Sequence, residues 1–403
     1  PFGTRSLVLR VYQFRHPSRA AFCRGAEYSG STQDATGVLF FFEAAGHDAA
    51  LNALSLVFHP PAVNNCAMKA YQITGTEGLA CLRQVGLPDP APRPREVLVR
   101  IRACCLNYRD YMNVMGIRGV TGPVPRIPCS DGAGEVVAVG EGVTGWTTGQ
   151  RVVIPFMPTW LDGSFTQGHA SQALGGAVDG LLRELACLPA SSLLPVPEHL
   201  SLEEASTLPC AAVTAWDALF ERAQLQVGET VLILGTGGVS VFALQFAKQA
   251  GARVLATTSS NAKTERLRAL GADAVHNYKT DPAWDEWALA QTGGVGVDHV
   301  VEIGGPETLN RSIKATRFGG HIALIGVLTG TSGEIQTVGI LRKGIRLDGI
   351  YVGSRAMFAR MLTQVEAAKL HPVIDSTFEW DQAPDAFRRI ESGQHFGKIV
   401  IRV

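Results

Sequence analysis

Apolar and polar side chains alternate with a period of two over residues 96–103 (EVLVRIRA). This alternation is typical of a half-buried β-strand. Short Val-rich runs at 132–139, which ends in a glycine-rich turn, and at 150–154 predict two further strands. Residues 156–188 are rich in Gly and Ala and show little periodicity, so we expect a long loop there. Residues 68–194 are therefore predicted to form a β-rich domain.

From about residue 195 the pattern changes to apolar runs separated by amphipathic stretches. The apolar runs predict strands at 229–234, 253–257, 274–277, 298–303, 321–327 and 345–352. The stretches between them predict helices at 237–251, 263–270, 282–291 and 307–316. Strands that alternate with helices imply right-handed crossovers and a parallel, doubly wound α/β sheet. We predict that 195–352 form this domain, with 345–352 at the sheet edge, and that 353–403 return to complete the first domain.

The composition is typical of a soluble globular protein of two domains, with 46% apolar and 18% charged residues in a chain of 403. The 36 basic and 36 acidic residues give a formal charge of zero, which argues against a nucleic-acid partner. No uninterrupted apolar run reaches the ~18 residues of a membrane-spanning helix. Eight scattered cysteines without a C-x-x-C pair indicate reduced thiols, so we expect a cytoplasmic protein.

The first 67 residues differ from the rest of the chain. They contain no Met, whereas all six Met lie at or after Met68, and they hold five Arg but no acid before Glu27. An upstream stretch joined to the protein explains this composition. An Arg-rich, acid-poor transit peptide explains it too and would place the protein in mitochondria. Under either interpretation we expect residues 1–67 to lie outside the fold.

A glycine-rich turn joins the first strand and helix of the second domain, in the sequence LILGTGGVS. Gly235, Gly237 and Gly238 stand where the chain must turn tightly and let a pyrophosphate approach the N–H groups of a helix N-terminus. The apolar strand before the turn and the amphipathic helix after it favour a dinucleotide site over a purely structural turn. Ser240 replaces the glycine usual at close helix–strand packing, so we expect the helix to stand slightly away from the strand.

The end of the second strand of this domain indicates which dinucleotide binds. A site for NAD places Asp or Glu there, to accept a hydrogen bond from the ribose 2′-hydroxyl. This chain has the hydroxyl side chains of Thr258 and Ser259, followed by Lys263. Hydroxyls and an ammonium hold a 2′-phosphate, whereas a carboxylate repels it, so the sequence favours NADP(H). The alternative is that Lys263 is an ordinary solvated helix residue.

From Met68 onward the chain resembles a medium-chain dehydrogenase/reductase over essentially its whole length. The resemblance lies in the motifs MKAYQITG, EVLVRIRACCLNYRD, PCSDGAGEVVAVGEGV, LPCAAVTAWDAL, GTGGVS, ALGADAVHNY and HFGKIVIRV. It implies a GroES-like β-rich catalytic domain split between the two ends of this region, a Rossmann dinucleotide-binding domain, and an active site in the cleft between them. It also implies a homodimer in which the edge strand pairs with its copy.

Zinc-dependent members of this superfamily take their catalytic ligands from a Cys, a His-Glu pair and a second Cys. The matching positions here hold Asn107, Ser130, Asp131 and Cys210. Since a catalytic zinc needs three protein ligands, we expect no metal here and interpret Cys210 as a packed thiol. A site rebuilt from Cys105, Cys129 or Asp131 stays open as an alternative. The lost ligands and the NYRD segment resemble the zinc-independent quinone oxidoreductase and enoyl reductase branch.

Without a metal, hydrogen-bond donors must polarise the substrate carbonyl. Asn107 and Tyr108, at the lost ligand position, are our candidates for these donors. Tyr108 is also a candidate general acid, although the ordinary pKa of ~10 for tyrosine favours simple hydrogen-bond donation. We expect Arg109 and Asp110 to form an orienting ion pair. The alternative is an ordinary loop that leads into a helix, with Asp110 in its first turn.

The resemblance implies further contacts to the cofactor. These fall on Thr214, Val239, Tyr278, Gly304, Ile325, Val327, Phe396 and Lys398. Several of these positions follow parallel strands at their carboxyl ends, where doubly wound sheets bind ligands. For the glycines, loop geometry alone is the alternative explanation.

Three functions remain open from the sequence, each with a small-molecule ligand and none with a membrane or nucleic acid. The first is an NADPH-dependent, zinc-independent oxidoreductase that transfers hydride to a quinone, an enone or a related activated carbonyl compound. The second is an alcohol or aldehyde dehydrogenase on the same scaffold, which needs an unrecognised metal or a proton relay through Tyr108. The third is a non-catalytic NADPH-binding protein.

Overall fold

The computed structural model describes residues 10–12, 39–41, 67–117 and 124–403. The chain separates into two compact units, Pro1–Val63 and Asn64–Val403. In the first unit, β1 (Arg10–Tyr12) pairs antiparallel with β2 (Leu39–Phe41). The rest of residues 1–66, to which the predictions of a joined stretch or a transit peptide apply, lies outside the described residues.

The first half of the second unit is the predicted β-rich domain. In chain order its elements are β3 (Ala67–Ile73), β4 (Leu82–Pro88), β5 (Glu96–Leu106), α1 (Tyr108–Met115), β6 (Asp131–Val139), β7 (Arg151–Ile154), α2 (Gln167–Ala170), β8 (Leu185–Pro189) and β9 (Leu194–Pro195). The alternation seen in the sequence places Val97, Val99 and Ile101 of β5 in the core, almost fully buried. Residues 156–188, expected to be a loop, contain α2 and the start of β8.

A helical segment joins this domain to the next. It runs through α3 (Leu202–Ser206) and α4 (Val213–Trp216), and wider π-helical turns at Leu208–Ala212 and Asp217–Arg222 flank α4. Ser201 begins α3 as its N-cap, where its hydroxyl accepts the Glu204 N–H and the Glu204 carboxylate accepts the Ser201 N–H.

The second domain alternates strands and helices as predicted. Its elements are β10 (Thr230–Ile233), α5 (Gly238–Gln249), β11 (Arg253–Thr258), α6 (Asn261–Ala269), β12 (Ala274–Asn277), α7 (Trp284–Gln291), β13 (Val297–Glu302), α8 (Pro306–Ala315), β14 (Thr316–Leu324), α9 (Thr337–Lys343) and β15 (Arg346–Gly349). The strands form one parallel sheet in the order β12-β11-β10-β13-β14-β15. This is the order of a Rossmann sheet, with the switch of direction beside β10.

The chain then returns to the first domain. The return segment contains α10 (Arg355–Ala367), β16 (Ile374–Phe378), α11 (Ala383–Glu391) and β17 (Lys398–Arg402). β17 pairs antiparallel with β5, where Ile399 faces Leu106. The sheet of the first domain therefore has the order β16-β17-β5-β6-β7-β9, and β8 pairs with β5 outside this path. Residues far apart in the sequence therefore form one sheet.

β15 forms one end of the parallel sheet, shorter than the predicted strand 345–352 but at the expected edge. That this edge pairs with a second copy of the chain stays a prediction. Among the described residues, no helix is long and apolar enough to cross a membrane.

Candidate functional site

A cavity of about 830 Å³ lies between the two domains of the second unit, and most of the predicted site residues line it. The catalytic domain contributes Asn107, Tyr108 and Arg109. The remaining predicted residues on the cavity wall are Thr214, Gly235, Gly237, Gly238, Val239, Ser259, Lys263, Tyr278, Gly304, Ile325, Val327 and Lys398. The fold thus brings together residues that the sequence analysis selected from many separate segments.

Three predicted site residues lie behind this wall and do not line the cavity. Asp110, Thr258 and Phe396 are fully buried. The Thr258 hydroxyl accepts the Ser260 N–H, 3.2 Å away, at the end of β11, so it shapes the turn. The Phe396 ring lies under the guanidinium of Arg266, 4.0 Å from ring centroid to Cζ. Any effect of these three residues on a ligand in the cavity must pass through their neighbours.

Asn107 is the N-cap of α1, and Asp110 stands at the third helical position. The Asp110 Oδ2 accepts the Asn107 N–H at 2.9 Å, so this carboxylate fixes the start of the helix. The local structure is therefore the alternative given above, a loop that leads into a helix with Asp110 in its first turn. The same start of the helix places Tyr108 and Arg109, its first two residues, on the cavity wall.

The expected ion pair between Arg109 and Asp110 does not form. The Arg109 guanidinium donates to the Leu174 carbonyl at 2.6 Å and lies over the Phe156 ring, 4.5 Å from its centroid. A side chain at position 176 would displace the Arg109 guanidinium from this position. Arg109 therefore ties α1 to the segment after α2.

A chain of hydrogen bonds begins on the cavity wall, at Lys398 and Asn107, and continues into the buried interior behind it. The Lys398 ammonium donates to Asn107 Oδ1 at 2.6 Å and to the Leu106 carbonyl at 2.9 Å. Asn107 Nδ2 donates to Ser130 Oγ at 3.3 Å, and Ser130 donates to Asp131 Oδ1 at 2.8 Å. The Cys210 N–H donates to Asp131 Oδ2 at 3.1 Å. Four segments of the chain meet in this network.

The two charged ends of the network are buried, and their surroundings shift the pKa values of the acids nearby. Burial raises the pKa of Asp110 to about 6, against the opposing charge of Arg109. Burial also raises the pKa of Asp131, although the Lys398 charge opposes the shift. Burial alone would lower the pKa of Lys398, but Cys105 and Asp131 outweigh it and the pKa is raised. Lys398 is therefore an ammonium at neutral pH.

These side chains do not fit a catalytic zinc. Asn107 and Ser130 supply neutral oxygen and nitrogen atoms in place of strong ligands. Both oxygens of Asp131 already accept hydrogen bonds. Burial raises the pKa of the Cys210 thiol, so the thiolate that binds zinc is disfavoured. A buried ammonium next to Asn107 adds a positive charge where a metal ion would have to lie.

The glycine-rich turn has the geometry of an anion-binding helix N-terminus. α5 begins at Gly238 after Gly237, and no side chain caps its first N–H groups. A Cβ at position 238 would stand 2.5 Å from the Lys398 Cδ and 3.2 Å from the Ala211 Cβ, so only glycine fits. Gly235 has a φ of 73°, in the region that favours glycine. The free N–H groups fit a pyrophosphate.

Ser240 does not hold α5 away from the sheet. Its side chain is buried, and its hydroxyl donates to the Leu234 carbonyl at 2.7 Å. The expectation of a displaced helix rested on the bulk of serine alone. The hydroxyl instead satisfies a backbone acceptor at the end of the strand segment, so helix and strand stay joined.

At the far end of the cavity, Ser259, Lys263 and Tyr278 lie on the wall with no acidic residue at the end of β11. The Lys263 ammonium donates to the His395 carbonyl at 2.9 Å and to the Gly393 carbonyl at 3.3 Å. Burial lowers the pKa of Lys263. Lys263 is therefore a partly buried cation at the cavity wall, not an ordinary solvated helix residue.

Some cavity residues were missed by the sequence analysis. Phe156 and Tyr351 line the catalytic end and pack edge to face, with 6.1 Å between ring centroids. His395 lines the other end, beside Gly237. His395 immediately precedes Phe396 in the motif HFGKIVIRV, which was a usable signal. Nothing in the sequence around Phe156 and Tyr351 indicates that they share a cavity wall.

Known proteins share this architecture. Residues 93–198 match the family model described as alcohol dehydrogenase GroES-like domain, and residues 238–367 match the model described as zinc-binding dehydrogenase. A zinc-type alcohol dehydrogenase-like protein of Schizosaccharomyces pombe is 45% identical over 316 residues, which cover 77% of this chain and 91% of the relative. The acryloyl-coenzyme A reductase of Metallosphaera sedula is 30% identical over 345 residues, 83% of this chain and 99% of the relative.

Solved structures show the same fold. The crystal structure of an NAD-dependent alcohol dehydrogenase superposes with a TM-score of 0.76 at 35% identity and covers 83% of this chain and all of that one. The 2-octenoyl-CoA carboxylase reductase CinF, in complex with NADP and 2-octenoyl-CoA, gives a TM-score of 0.74 at 25% identity, with 83% of this chain and 87% of that chain covered.

A GroES-like domain joined to a Rossmann domain, with a glycine-rich turn in the cleft between them, defines an oxidoreductase of the nicotinamide-dinucleotide class. The chain belongs to the medium-chain dehydrogenase/reductase superfamily, the family with which its relatives and structural neighbours agree.

Proposed function

We propose that the protein is an NADPH-dependent oxidoreductase that transfers hydride, without a metal, to the conjugated carbon–carbon bond of an enone, a quinone or a related activated carbonyl compound. The observation that carries the proposal is the hydrogen-bonded chain from Lys398 through Asn107 and Ser130 to Asp131. It stands where zinc-dependent relatives place their ligands, and two of its members, Lys398 and Asn107, line the same cavity as the glycine-rich turn.

A nicotinamide bound in the cleft would supply the hydride. The chain's own part is to bind the substrate carbonyl so that its oxygen accepts hydrogen bonds from Asn107 Nδ2 and the Tyr108 hydroxyl, both groups of the cavity wall. When hydride adds to the β-carbon, the electron pair of the double bond moves toward this oxygen. Protonation of the resulting enolate by solvent or Tyr108 completes the reduction.

The cavity wall near these donors suits a flat, conjugated acceptor. Phe156 and Tyr351 supply aromatic faces, and Met112 adds an adaptable apolar side chain. The Arg109 guanidinium lies over Phe156 and adds a positive charge to this wall, besides that of Lys398. Such walls exclude water from the reacting carbon and keep the developing negative charge near the hydrogen-bond donors.

The relatives support reduction of a conjugated double bond. An acryloyl-coenzyme A reductase and a 2-octenoyl-CoA carboxylase reductase carry α,β-unsaturated acyl groups in their names. Bound NADP in the second of these agrees with the cofactor that Ser259 and Lys263 favour in this chain. The relatives called alcohol dehydrogenases favour a second candidate, oxidation of an alcohol on the same scaffold. The side chains at the metal position weigh against it, because they hold no set of zinc ligands.

Steady-state kinetics separate these candidates. We expect NADPH to be oxidised with quinones or enones, with a lower KM for NADPH than for NADH and with no loss of activity in a chelator. Alcohol oxidation that disappears with the chelator, together with about one zinc per chain in metal analysis, would instead establish the dehydrogenase. Tight NADPH binding without turnover on any enone, quinone or aldehyde would leave a non-catalytic NADPH-binding protein.

A further inference from the structure

Lys398 is a buried cation whose ammonium lies against a side chain of the proposed catalytic site, not against solvent. We propose that Lys398 is a positioning residue, which fixes the side-chain amide of Asn107 so that its oxygen faces the ammonium and its N–H groups face Ser130 and the cavity. This inference rests on the proposed function, because it assigns Asn107 as the group that touches the substrate carbonyl. It differs from the expected role of Lys398 as a cofactor contact.

At one end of the hydrogen-bond chain, Lys398 determines which of the two Asn107 amide atoms faces it. An ammonium carries three donors and no acceptor. The Asn107 atom 2.6 Å from Lys398 Nζ must therefore be an acceptor, which is Oδ1. The Leu106 carbonyl accepts a second Lys398 hydrogen at 2.9 Å and holds the ammonium in place.

The other end requires the same orientation independently. The Cys210 N–H and the Ser130 hydroxyl both donate to Asp131. Because Ser130 gives its single hydrogen to Asp131, its oxygen is left as an acceptor toward Asn107. Nδ2 lies 3.3 Å from this oxygen. Both ends of the chain thus point the N–H side of the amide away from Lys398.

The charges at the two ends strengthen this arrangement. The positive Lys398 and the acidic Asp131 are both almost fully buried, and the neutral side chains of Asn107 and Ser130 link them through hydrogen bonds. An ammonium on the oxygen of an amide draws electron density from its nitrogen, so the N–H groups become stronger donors. A carbonyl oxygen that gains negative charge during hydride transfer is the acceptor that benefits most.

A double-mutant cycle tests this role. We expect Lys398→Met to lower kcat by roughly 10- to 100-fold, while the Kd for NADPH measured by fluorescence stays nearly unchanged. We expect Asn107→Ala to lower kcat by a similar factor. In the double variant, adding Lys398→Met to Asn107→Ala should lower kcat by no more than about a further twofold, because the amide that Lys398 positions is already absent.

The control is Lys343→Met. Lys343 also donates to backbone carbonyls, those of Ile313, Lys314 and Thr316, but it lies outside the cavity. We expect this variant to lose stability and keep kcat, which separates loss of a structural lysine from loss of a positioning one. If Lys398→Met does not fold, Lys398→Gln, which keeps a polar group in the same place, takes its place in the cycle.

Two results would overturn the proposal. One is that the two substitutions act independently, so that the fold losses of kcat in Lys398→Met and Asn107→Ala multiply in the double variant. The other is a large rise in the NADPH Kd of Lys398→Met with kcat restored at saturating NADPH, which would make Lys398 a cofactor contact. A neutron structure of the wild-type protein adds a readout without turnover, since it shows which Asn107 atom faces Lys398. If the wild type reduces no enone or quinone, the proposed function fails, whereas the amide orientation is still decided by the neutron structure.

Discussion

Ser259, Lys263 and Tyr278 lie together on one wall of the cavity although 19 positions separate the first from the last in the sequence. They were predictable because Ser259 and Tyr278 follow strands and Lys263 lies in the first turn of a helix, and the alternation of strands and helices in the sequence sets the positions of these elements. Lys398 and Asn107 were both selected as well, but the contact between them was not predicted. Asn107 precedes Lys398 by 291 residues, and no local pattern indicates that their side chains meet. Pairings of this kind depend on sheet register, which the sequence of one strand does not specify.

Lys263→Ala tests the assignment of NADP(H) at the level of one residue. We expect the KM for NADPH to rise by roughly tenfold and the KM for NADH to change little, because only NADPH has a 2′-phosphate for the ammonium to hold. Steady-state kinetics with both cofactors measure the effect. Lys279→Ala, an exposed lysine next to Tyr278, is the matched control and should leave both constants unchanged. Equal losses with both cofactors would contradict a phosphate contact.

At the level of elements, the sequence predicted strands best where one face is buried and the other exposed, as in β5. β8 escaped prediction because apolar residues occupy both faces. Ala186 and Leu188 are buried, and Leu185 and Cys187 on the opposite face are half-buried and apolar as well. Without a polar face no alternation appears, and the only cue left is the tertiary pairing of β8 with β5.

β13 and β14 carry a buried histidine pair that predicts the acid sensitivity of the sheet. His299 and His321 face each other in register, with 5.7 Å between ring centroids. His299 contacts Glu229, while Asp348 and Arg346 lie next to His321. Burial, helped by the charges of Arg346 and His299, lowers the pKa of His321 from 6.5 to about 4, against the effect of Asp348.

Between pH 6.5 and about pH 4, the unfolded chain binds a proton at His321 that the folded protein does not bind, so acid favours unfolding. We expect the free energy of unfolding in urea to fall by roughly 1 to 3 kcal/mol between about pH 7 and about pH 4.5 through this group. His321→Gln should show a smaller fall over the same interval, and His371→Gln, at an exposed position, serves as the control. An unchanged slope in His321→Gln would show that another group is responsible.

At the level of the whole molecule, the chain from Asn64 onward is a compact unit by itself. The yeast relative matches 316 residues of this chain over 91% of its own length, so most of an entire relative corresponds to this part. We therefore expect a variant that begins at Ala67 to bind NADPH with a Kd within about twofold of that of the full chain. Fluorescence titration and thermal unfolding of both proteins check this. A large loss of affinity or of Tm would show that the first 66 residues take part in the fold.

The two-domain architecture was the most predictable feature at this scale, because the change from period-two strands to strand–helix repeats marks the boundary. How the return strand β17 closes the cavity was less accessible. The N–H of Gly397 donates to the Thr236 carbonyl at 3.0 Å, and the next residue, Lys398, contacts Asn107. Two adjacent residues thus join the glycine-rich turn to the catalytic segment.

This join has a consequence for biosynthesis. A ribosome that adds roughly 5 to 20 residues per second needs about 15 to 60 s to proceed from Asn107 to Lys398. In the later part of that interval, once Ser240 has been added, the nascent polypeptide contains the glycine-rich turn but lacks the strand that closes the cleft. The Rossmann domain can therefore fold before the cleft closes, and the proposed reductase can become active only after Lys398 has been synthesised.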